Sequence, residues 1–150
     1  MTGIRTVLYD WVRQCTALTG TPPTAGVIGS PELPRVYPHG APARTEFPYV
    51  VQKRADDPAQ RTLAGTHGLR SATFTHEVWG DRSDVVESVA ETLRARLEAS
   101  KGQHGTVFIR TVTLEGEVDD AVRPDDGTEV TWFVTVITSR YTYVDTSEGA

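Results

Sequence analysis

The chain has 150 residues, a formal net charge of −5 and a single cysteine. This length favours one domain, and the acidic balance argues against a protein that binds nucleic acid or an anionic membrane through a basic surface. One cysteine excludes an internal disulfide and any cysteine-rich metal site. With 38% hydrophobic residues, 13 Gly and 9 Pro, we expect a modest core surrounded by long loops.

The N-terminal residues 3–18 have the spacing of an amphipathic helix. Apolar side chains recur every three or four positions, at Ile4, Val7, Leu8, Trp11, Val12, Cys15 and Leu18. Cys15 lies on this stripe, so we interpret it as a buried structural thiol rather than a nucleophile. Arg5, Asp10 and Arg13 interrupt the apolar run, which argues against a signal peptide or membrane span and favours a cytosolic protein in the cell that makes it.

Residues 19–46 are rich in Gly and Pro and are predicted to form a long loop. A short strand is predicted at 35–37, and the flanking Pro34 and Pro38 would confine it to the edge of a sheet. A loop of this length is unusual in a compact domain, so we expect it to contact a neighbour or to contain ordered turns.

Residues 47–79 give the clearest architectural signal. They predict a strand over 47–54, a polar excursion over 55–67 and a strand over 69–79 with strict alternation. In the second strand one face carries Ala72, Phe74, His76 and Val78. A two-stranded hairpin with a flexible tip therefore precedes the next element.

A helix is predicted over 83–99, with a buried stripe formed by Val86, Val89, Ala90, Leu93 and Leu97. Two strands follow, at 106–114 and 129–143. In the first, Val107, Ile109 and Thr111 are expected to share one face of the strand, and Phe108, Arg110 and Val112 the other. In the second, Trp132 and Val134 are expected to share one face, and Phe133 and Ile137 the other. Both faces of these strands are partly apolar, which suits strands that have helices on one side and another subunit on the other.

This order of elements predicts an α+β fold with an antiparallel β-sheet of four to five strands and two helices packed on one face. We expect one domain over residues 1–150. Its flexible loops are predicted at about 19–46, 55–67 and 115–128, the last of these being an acidic hairpin loop, and its tail at 145–150 is predicted to be frayed.

No group of residues predicts catalysis or a metal site. The histidines, serines and aspartate pairs considered are His39, His67, His76, His104, Ser30, Ser71, Ser83, Ser88, Asp119-Asp120 and Asp125-Asp126. The histidines are far apart in sequence, the serines lack a nucleophile elbow, and the aspartates lack the pattern of a calcium loop. His76 is interpreted as a core or interface histidine with a hydrogen-bonded partner.

A local excess of basic residues surrounds the first excursion, at Arg44, Lys53, Arg54, Arg61 and Arg70. One interpretation is that these are solvated strand ends. The other is a loop that lines a channel or docks on an acidic neighbour.

The order and spacing of these elements resemble the tail completion, or tail terminator, proteins of long-tailed bacteriophages and related gene transfer agents. The resemblance covers nearly the whole chain. It is carried by the N-terminal helix, by Arg35-Val36-Tyr37-Pro38, by Phe47-Pro48-Tyr49-Val50-Val51, by the strand ending in Val78-Trp79, by the 83–99 helix and by Trp132-Phe133-Val134. The long 19–46 and acidic 115–128 loops depart from short members of the family and leave the docking partner open.

The resemblance implies a homohexameric ring that caps the tail tube, halts its polymerisation and joins the tail to the head, without catalysis or cofactor. Its implied partners are other copies of the chain, the major tail tube protein and a head–tail connector or neck protein. DNA would pass through the lumen without specific binding, and no membrane would be involved. The protein would lie in the virion at the head-proximal end of the tail, and in the host cytoplasm during assembly.

By the same resemblance the sheet and its loops line the ring and meet the tube, with the helices towards the outside. Candidate interface residues are Arg54, Arg61, Arg70, Trp79, Phe108 and Phe133. Two alternatives stay open. One is a head-completion or neck adaptor ring of the same particle. The other is a small α+β ligand-binding or hydrolase domain, which would need a pocket with converging polar groups.

Overall fold

A computed structural model describes residues 3–20, 26–30, 34–56, 68–123 and 130–146. Its helices are α1 (Ile4–Arg13), α2 (Thr16–Thr19) and α3 (Ser83–Glu98). Its strands are β1 (Val36–Pro38), β2 (Tyr49–Arg54), β3 (Leu69–Gly80), β4 (Gly102–His104), β5 (Val107–Val122) and β6 (Trp132–Asp145). The α+β class predicted from the sequence is confirmed.

The strands form one six-stranded sheet in the order β1-β2-β3-β6-β5-β4. β1 runs parallel to β2, and the other neighbours are antiparallel. The prediction of four to five antiparallel strands was therefore wrong in number and in one direction. The additional strand β4 forms because Gly105, at φ 60°, lets the chain reverse tightly into β5. The edge position predicted for the proline-flanked strand β1 is confirmed.

The helices α1 and α3 pack on the same face of the sheet. The alternation predicted for β3 is confirmed, because Ala72, Phe74, His76 and Val78 are all buried beneath them. The predicted stripe of α3 is also buried in full. The single N-terminal helix predicted over 3–18 is instead two helices, since Cys15 takes an extended backbone with ψ 102° between them. Cys15 itself is buried, as predicted.

The strand β5 is longer than predicted and continues through the segment assigned to an acidic loop. Register with β6 holds from Gly116, opposite Thr138, to Val122, opposite Trp132. The prediction of a loop over 115–128 was wrong for residues 115–122, because cross-strand pairing outweighs the low strand propensity of Gly, Asp and Glu. Residues 124–129 lie outside the described residues.

The predicted frayed tail also begins too early. Asp145 is buried and pairs with Val107 in the ladder, and the Thr146 N–H donates to the Thr106 carbonyl over 2.9 Å. Backbone pairing therefore holds the chain to Thr146, and residues 147–150 lie outside the described residues.

Two β-bulges change which way the side chains of β5 point. Register shifts occur between Ile109 and Thr111 and between Leu114 and Gly116, so that Arg110 and Glu115 are extra residues. Between the bulges Val112 and Leu114 pack on the helical side, whereas the Thr111 hydroxyl forms a hydrogen bond with that of Thr142 on the other face. The prediction that Thr111 shares a face with Ile109 was therefore wrong, because alternation restarts after each inserted residue.

Candidate assembly interface

One face of the sheet carries the two helices, and in the described part of the chain no helix packs on the other. We call this second surface the open face. Tyr49 lies opposite Trp79, which in turn lies opposite Val134. Directly opposed residues project to the same side of a sheet, so all three belong to the open face. Their chain neighbours Val50 and Val78 are fully buried under the helices.

A continuous group of aromatic side chains lies at one end of the open face. We call it the aromatic band, and its members are Tyr37, Phe47, Tyr49, Trp79 and Trp132, each of them half-buried. Ring centroids are 6.2 Å apart for Tyr37 and Tyr49, 5.5 Å for Phe47 and Tyr49, 5.6 Å for Phe47 and Trp132, and 6.5 Å for Tyr49 and Trp79. These separations are those of favourable aromatic pairs, so the band is a connected surface.

A carboxylate fixes the orientation of Trp79 within the band. The Trp79 indole Nε1–H donates to Glu77 Oε1 over 3.0 Å, and Lys53 Nζ donates to Glu77 Oε2 over 3.0 Å. Burial, followed by the charge of Glu77, raises the pKa of Tyr49 above its ordinary value. The phenol therefore stays neutral, and the indole is held in one position before any partner arrives.

The opposite end of the open face has an exposed aromatic side chain of its own, Phe108, which is 42% exposed. Val118, which is 65% exposed, lies opposite Val136 and is therefore close to the aromatic band. Phe108 lies opposite Val144, whereas Trp79 lies opposite Val134, ten residues away along β6. At about 3.3 Å per residue this places Phe108 about 33 Å from the aromatic band along the strand direction.

Arg54, one of the predicted interface residues, is an internal ion-pair partner. Its Nε donates to Asp56 Oδ1 over 2.9 Å, its guanidinium lies 5.8 Å from the Phe74 ring, and its side chain is 13% exposed. The same carboxylate accepts the Thr73 N–H over 3.0 Å. Burial acts to raise the pKa of Asp56, but the hydrogen bonds from Arg54 and Thr73 outweigh it and lower that pKa. Arg54 therefore closes the base of the β2–β3 hairpin.

The remaining predicted residues do not lie together. Phe133 is half-buried on the helical side, where it lines a cavity of 190 Å³ with Val86 and Asp119. Arg70 lies in β3 opposite Tyr143. Arg61 lies outside the described residues. Trp79 and Phe108 share the open face but occupy its two ends, so the structure does not bring the predicted set into one surface.

Sequence reasoning missed four of the five members of the aromatic band as interface candidates. The interface set included only the fifth, Trp79. The other four come from three separate parts of the sequence, namely Tyr37, Phe47 with Tyr49, and Trp132. Alternation in each strand was the available signal, since it placed Tyr49 with Val51 on one face. That signal does not say which strands are neighbours, and the position of Phe47 depends on the connection before β2.

His76 is a core residue, as predicted. It is fully buried, and its Nε2 lies 3.0 Å from Gln52 Oε1, while Gln52 Nε2 donates to the Arg5 carbonyl over 3.0 Å. His76 Nδ1 has no hydrogen-bond partner. Burial lowers the pKa of His76 to about 3, so the ring is neutral at physiological pH. These contacts link α1, β2 and β3.

The described residues hold few other candidate features. A cavity of 220 Å³ lies between α1 and the turn after β4, lined by Trp11, Gln14, His104 and Gly105 among others. In the described ranges, no three or more His, Cys, Asp or Glu side chains form a group that could hold a metal ion. None of the helices seen there is both long enough and apolar enough to cross a membrane.

Comparisons with known proteins give little further information. No family model matches the sequence, and no curated protein matches it. Twenty solved chains match the structure. One of them is 17% identical, with 93% of this chain and 96% of the other covered, and has a TM-score of 0.46. Similarity at this level carries no argument about fold or function.

Proposed function

We propose that this protein is a structural assembly protein, the tail terminator of a phage-like particle. It forms a ring that caps the completed tail tube, stops its growth and joins it to the head connector. The proposal rests on the order of motifs that resembles the tail terminator family, and on one structural observation. That observation is the open face with its aromatic band.

The open face has the properties of a protein–protein contact. Aromatic side chains are enriched at the buried centres of interfaces, and contiguous apolar patches on a soluble subunit usually mark a binding surface. Because Glu77 already holds the indole of Trp79, less conformational freedom would be lost when a partner covers it. The band therefore suits a rigid contact with a preformed protein surface such as the end of a tube.

Charge supports the same assignment. With a net charge of −5 the chain is suited to a lumen through which DNA moves without being held, since non-specific DNA affinity comes from neutralisation of phosphates by Lys and Arg. Lys53, which lies on the same face of β2 as Tyr49, is paired with Glu77. We assign the band to contact with the tube protein and not with DNA.

The test is mass measurement in solution, alone and with assembled tubes of the major tail tube protein, followed by electron microscopy of the tube ends. We expect assembly into a ring and a cap of extra density at one end of each tube. A protein that neither self-associates nor binds tube ends would contradict the proposal. Binding to the connector without binding to tube ends would instead support the neck adaptor alternative.

A further inference from the structure

β5 leaves a long edge of the sheet without a neighbouring strand. β4 pairs only with Val107–Ile109, so in the described chain no strand lies beyond β5 from Arg110 to Val122. An open strand presents backbone N–H and C=O groups that readily pair with another chain. We call this segment the β5 edge.

The β5 edge is acidic and partly apolar. Its exposed side chains include Glu115, Glu117, Asp119 and Asp120, with Val118 among them. Its one basic side chain is Arg110, and two of its four acidic groups are compensated by ion pairs, Glu115 with Arg140 and Glu117 with Arg94. The acidic charge of this edge is therefore carried mainly by Asp119 and Asp120. A surface of positive charge would be attracted to it, whereas another acidic surface would be repelled.

The opposite side of the sheet carries positive charge. Arg5, His39 and Arg44 are exposed beside β1 and in the connection from β1 to β2, and we call them the β1 edge. The acidic side chain of this connection, Glu46, is paired with Arg35. Arg5 Nη1 lies 3.4 Å from His39 Nε2, and neither Arg5 nor Arg44 forms an ion pair with an acidic side chain of the described residues. Pro38 lacks an N–H and its carbonyl accepts that of Gly40 over 2.8 Å, so this edge favours contacts through side chains.

We infer that the acidic β5 edge of one copy docks on the basic β1 edge of the next copy. This inference rests on the proposed ring and specifies its subunit contact. The two surfaces differ and terminate opposite sides of one sheet, so the contact is heterologous and can repeat until a ring closes. A two-fold contact between two β5 edges would place acidic groups against acidic groups, which costs binding free energy.

Charge reversal tests the contact directly. A β1-edge variant carries Arg5→Glu with Arg44→Glu, and a β5-edge variant carries Asp119→Lys with Asp120→Lys. Each variant alone brings like charges together, so we expect its dissociation constant for self-assembly to rise at least about tenfold. Mixed in equal amounts, the two variants regain opposite charges at every contact and should assemble as the wild type does, in rings with alternating subunits.

Matched controls place the same charge changes elsewhere. Arg82→Glu with Lys101→Glu and Glu91→Lys with Glu98→Lys alter exposed residues of α3 and its flanks that belong to neither edge, and we expect both control variants to assemble normally. Circular dichroism and thermal unfolding verify the fold of each variant. Wild-type assembly should also weaken when salt is raised, because salt screens exposed charges.

Three outcomes would overturn the inference: a β1-edge variant that assembles like the wild type, a mixture of folded variants that does not assemble, or wild-type assembly that does not respond to salt. Normal assembly of the β1-edge variant together with that of the β5-edge variant would point to a contact outside both edges. A wild type that forms rings but does not bind tube ends would contradict the proposed function and leave this inference standing.

Discussion

Trp11 and Arg96 join α1 to α3 by two reciprocal hydrogen bonds. Trp11 Nε1 donates to the Arg96 carbonyl over 2.6 Å, and Arg96 Nε donates to the Trp11 carbonyl over 2.8 Å. The guanidinium also lies 3.5 Å from the centroid of the indole ring. Three interactions between one pair of residues therefore fix the N-terminal helix against the helix that covers the sheet.

We predict that Arg96→Ala lowers the free energy of unfolding by about 2 kcal/mol, because it removes a hydrogen bond from a charged donor and a cation–π contact. Urea unfolding followed by circular dichroism measures the loss. The control is Arg82→Ala at the N-cap of the same helix, where the exposed pair with Asp84 should contribute less than about 0.5 kcal/mol. Equal losses in the two variants would show that the Trp11 contact adds nothing specific.

Acid should destabilise the fold through His76. The unfolded chain binds a proton on this side chain near pH 6.5, whereas burial lowers its pKa in the folded chain to about 3. The unfolded state therefore binds more protons over this window, and the stability provided by neutral His76 is complete above pH 6.5 and lost as the pH falls. From this residue we expect a slope of about 1.4 kcal/mol per pH unit between about pH 6 and pH 4.

The comparison is with His76→Leu. Its unfolding free energy should fall less steeply as the pH is lowered, because unfolding of this variant takes up about one proton fewer. At neutral pH this variant should be less stable than the wild type, because Gln52 Oε1 loses its partner. His39→Asn is the matched control, since His39 is exposed and has φ 70°, a conformation that Asn tolerates. Parallel acid slopes for wild type and His76→Leu would rule out His76 as the source.

The aromatic band should be more important for binding than for folding. We expect Tyr37→Ser with Trp132→Ser, at the two ends of the band, to leave a folded subunit but to weaken capping of tube ends by about tenfold or more. Phe108→Ser removes an exposed aromatic side chain from the other end of the same face and should leave capping unchanged. If Phe108→Ser weakens capping and the band variant does not, the tube contact lies at the far end of the open face.

Shortening residues 57–66 to a Gly-Ser turn should preserve stability and weaken joining of tail to head. This segment lies outside the described residues, but its two anchors lie within them. Asp56 is held by Arg54, and the Ala55 N–H donates to the Thr73 carbonyl over 2.7 Å. The hairpin is therefore closed before the excursion begins. A melting temperature lowered by about 10 °C or more would show that the segment belongs to the core.

Much of the covered face could be predicted because local spacing determines it. The α3 stripe from Val86 to Leu97 and the apolar face of β3 from Ala72 to Val78 are both buried, because a helix or strand with one apolar side packs that side against the core. The edge position of β1 followed in the same way from the missing N–H groups of Pro34 and Pro38.

The open face could be predicted only in part, because it depends on which strands are neighbours. β3 pairs with β6, so that Trp79 meets Val134, although more than fifty residues separate them in sequence. Sequence alternation placed Tyr49, Trp79 and Trp132 each on a face of its own strand but gave no relation between strands. The end of β5 was missed for a related reason, since pairing with β6 holds Glu117 and Asp119 in a strand.

The two bulges in β5 are independent of each other. Ile109 and Thr111 lie opposite the adjacent residues Tyr143 and Thr142, so they already occupy opposite faces with Arg110 looped between them. Loss of Arg110 alone would make them neighbours in a regular ladder, and every later side chain would keep its face. The same holds for Leu114 and Gly116 if Glu115 is lost. The strand can therefore tolerate removal of one residue at either of these two positions while the core and the exposed surface keep their composition.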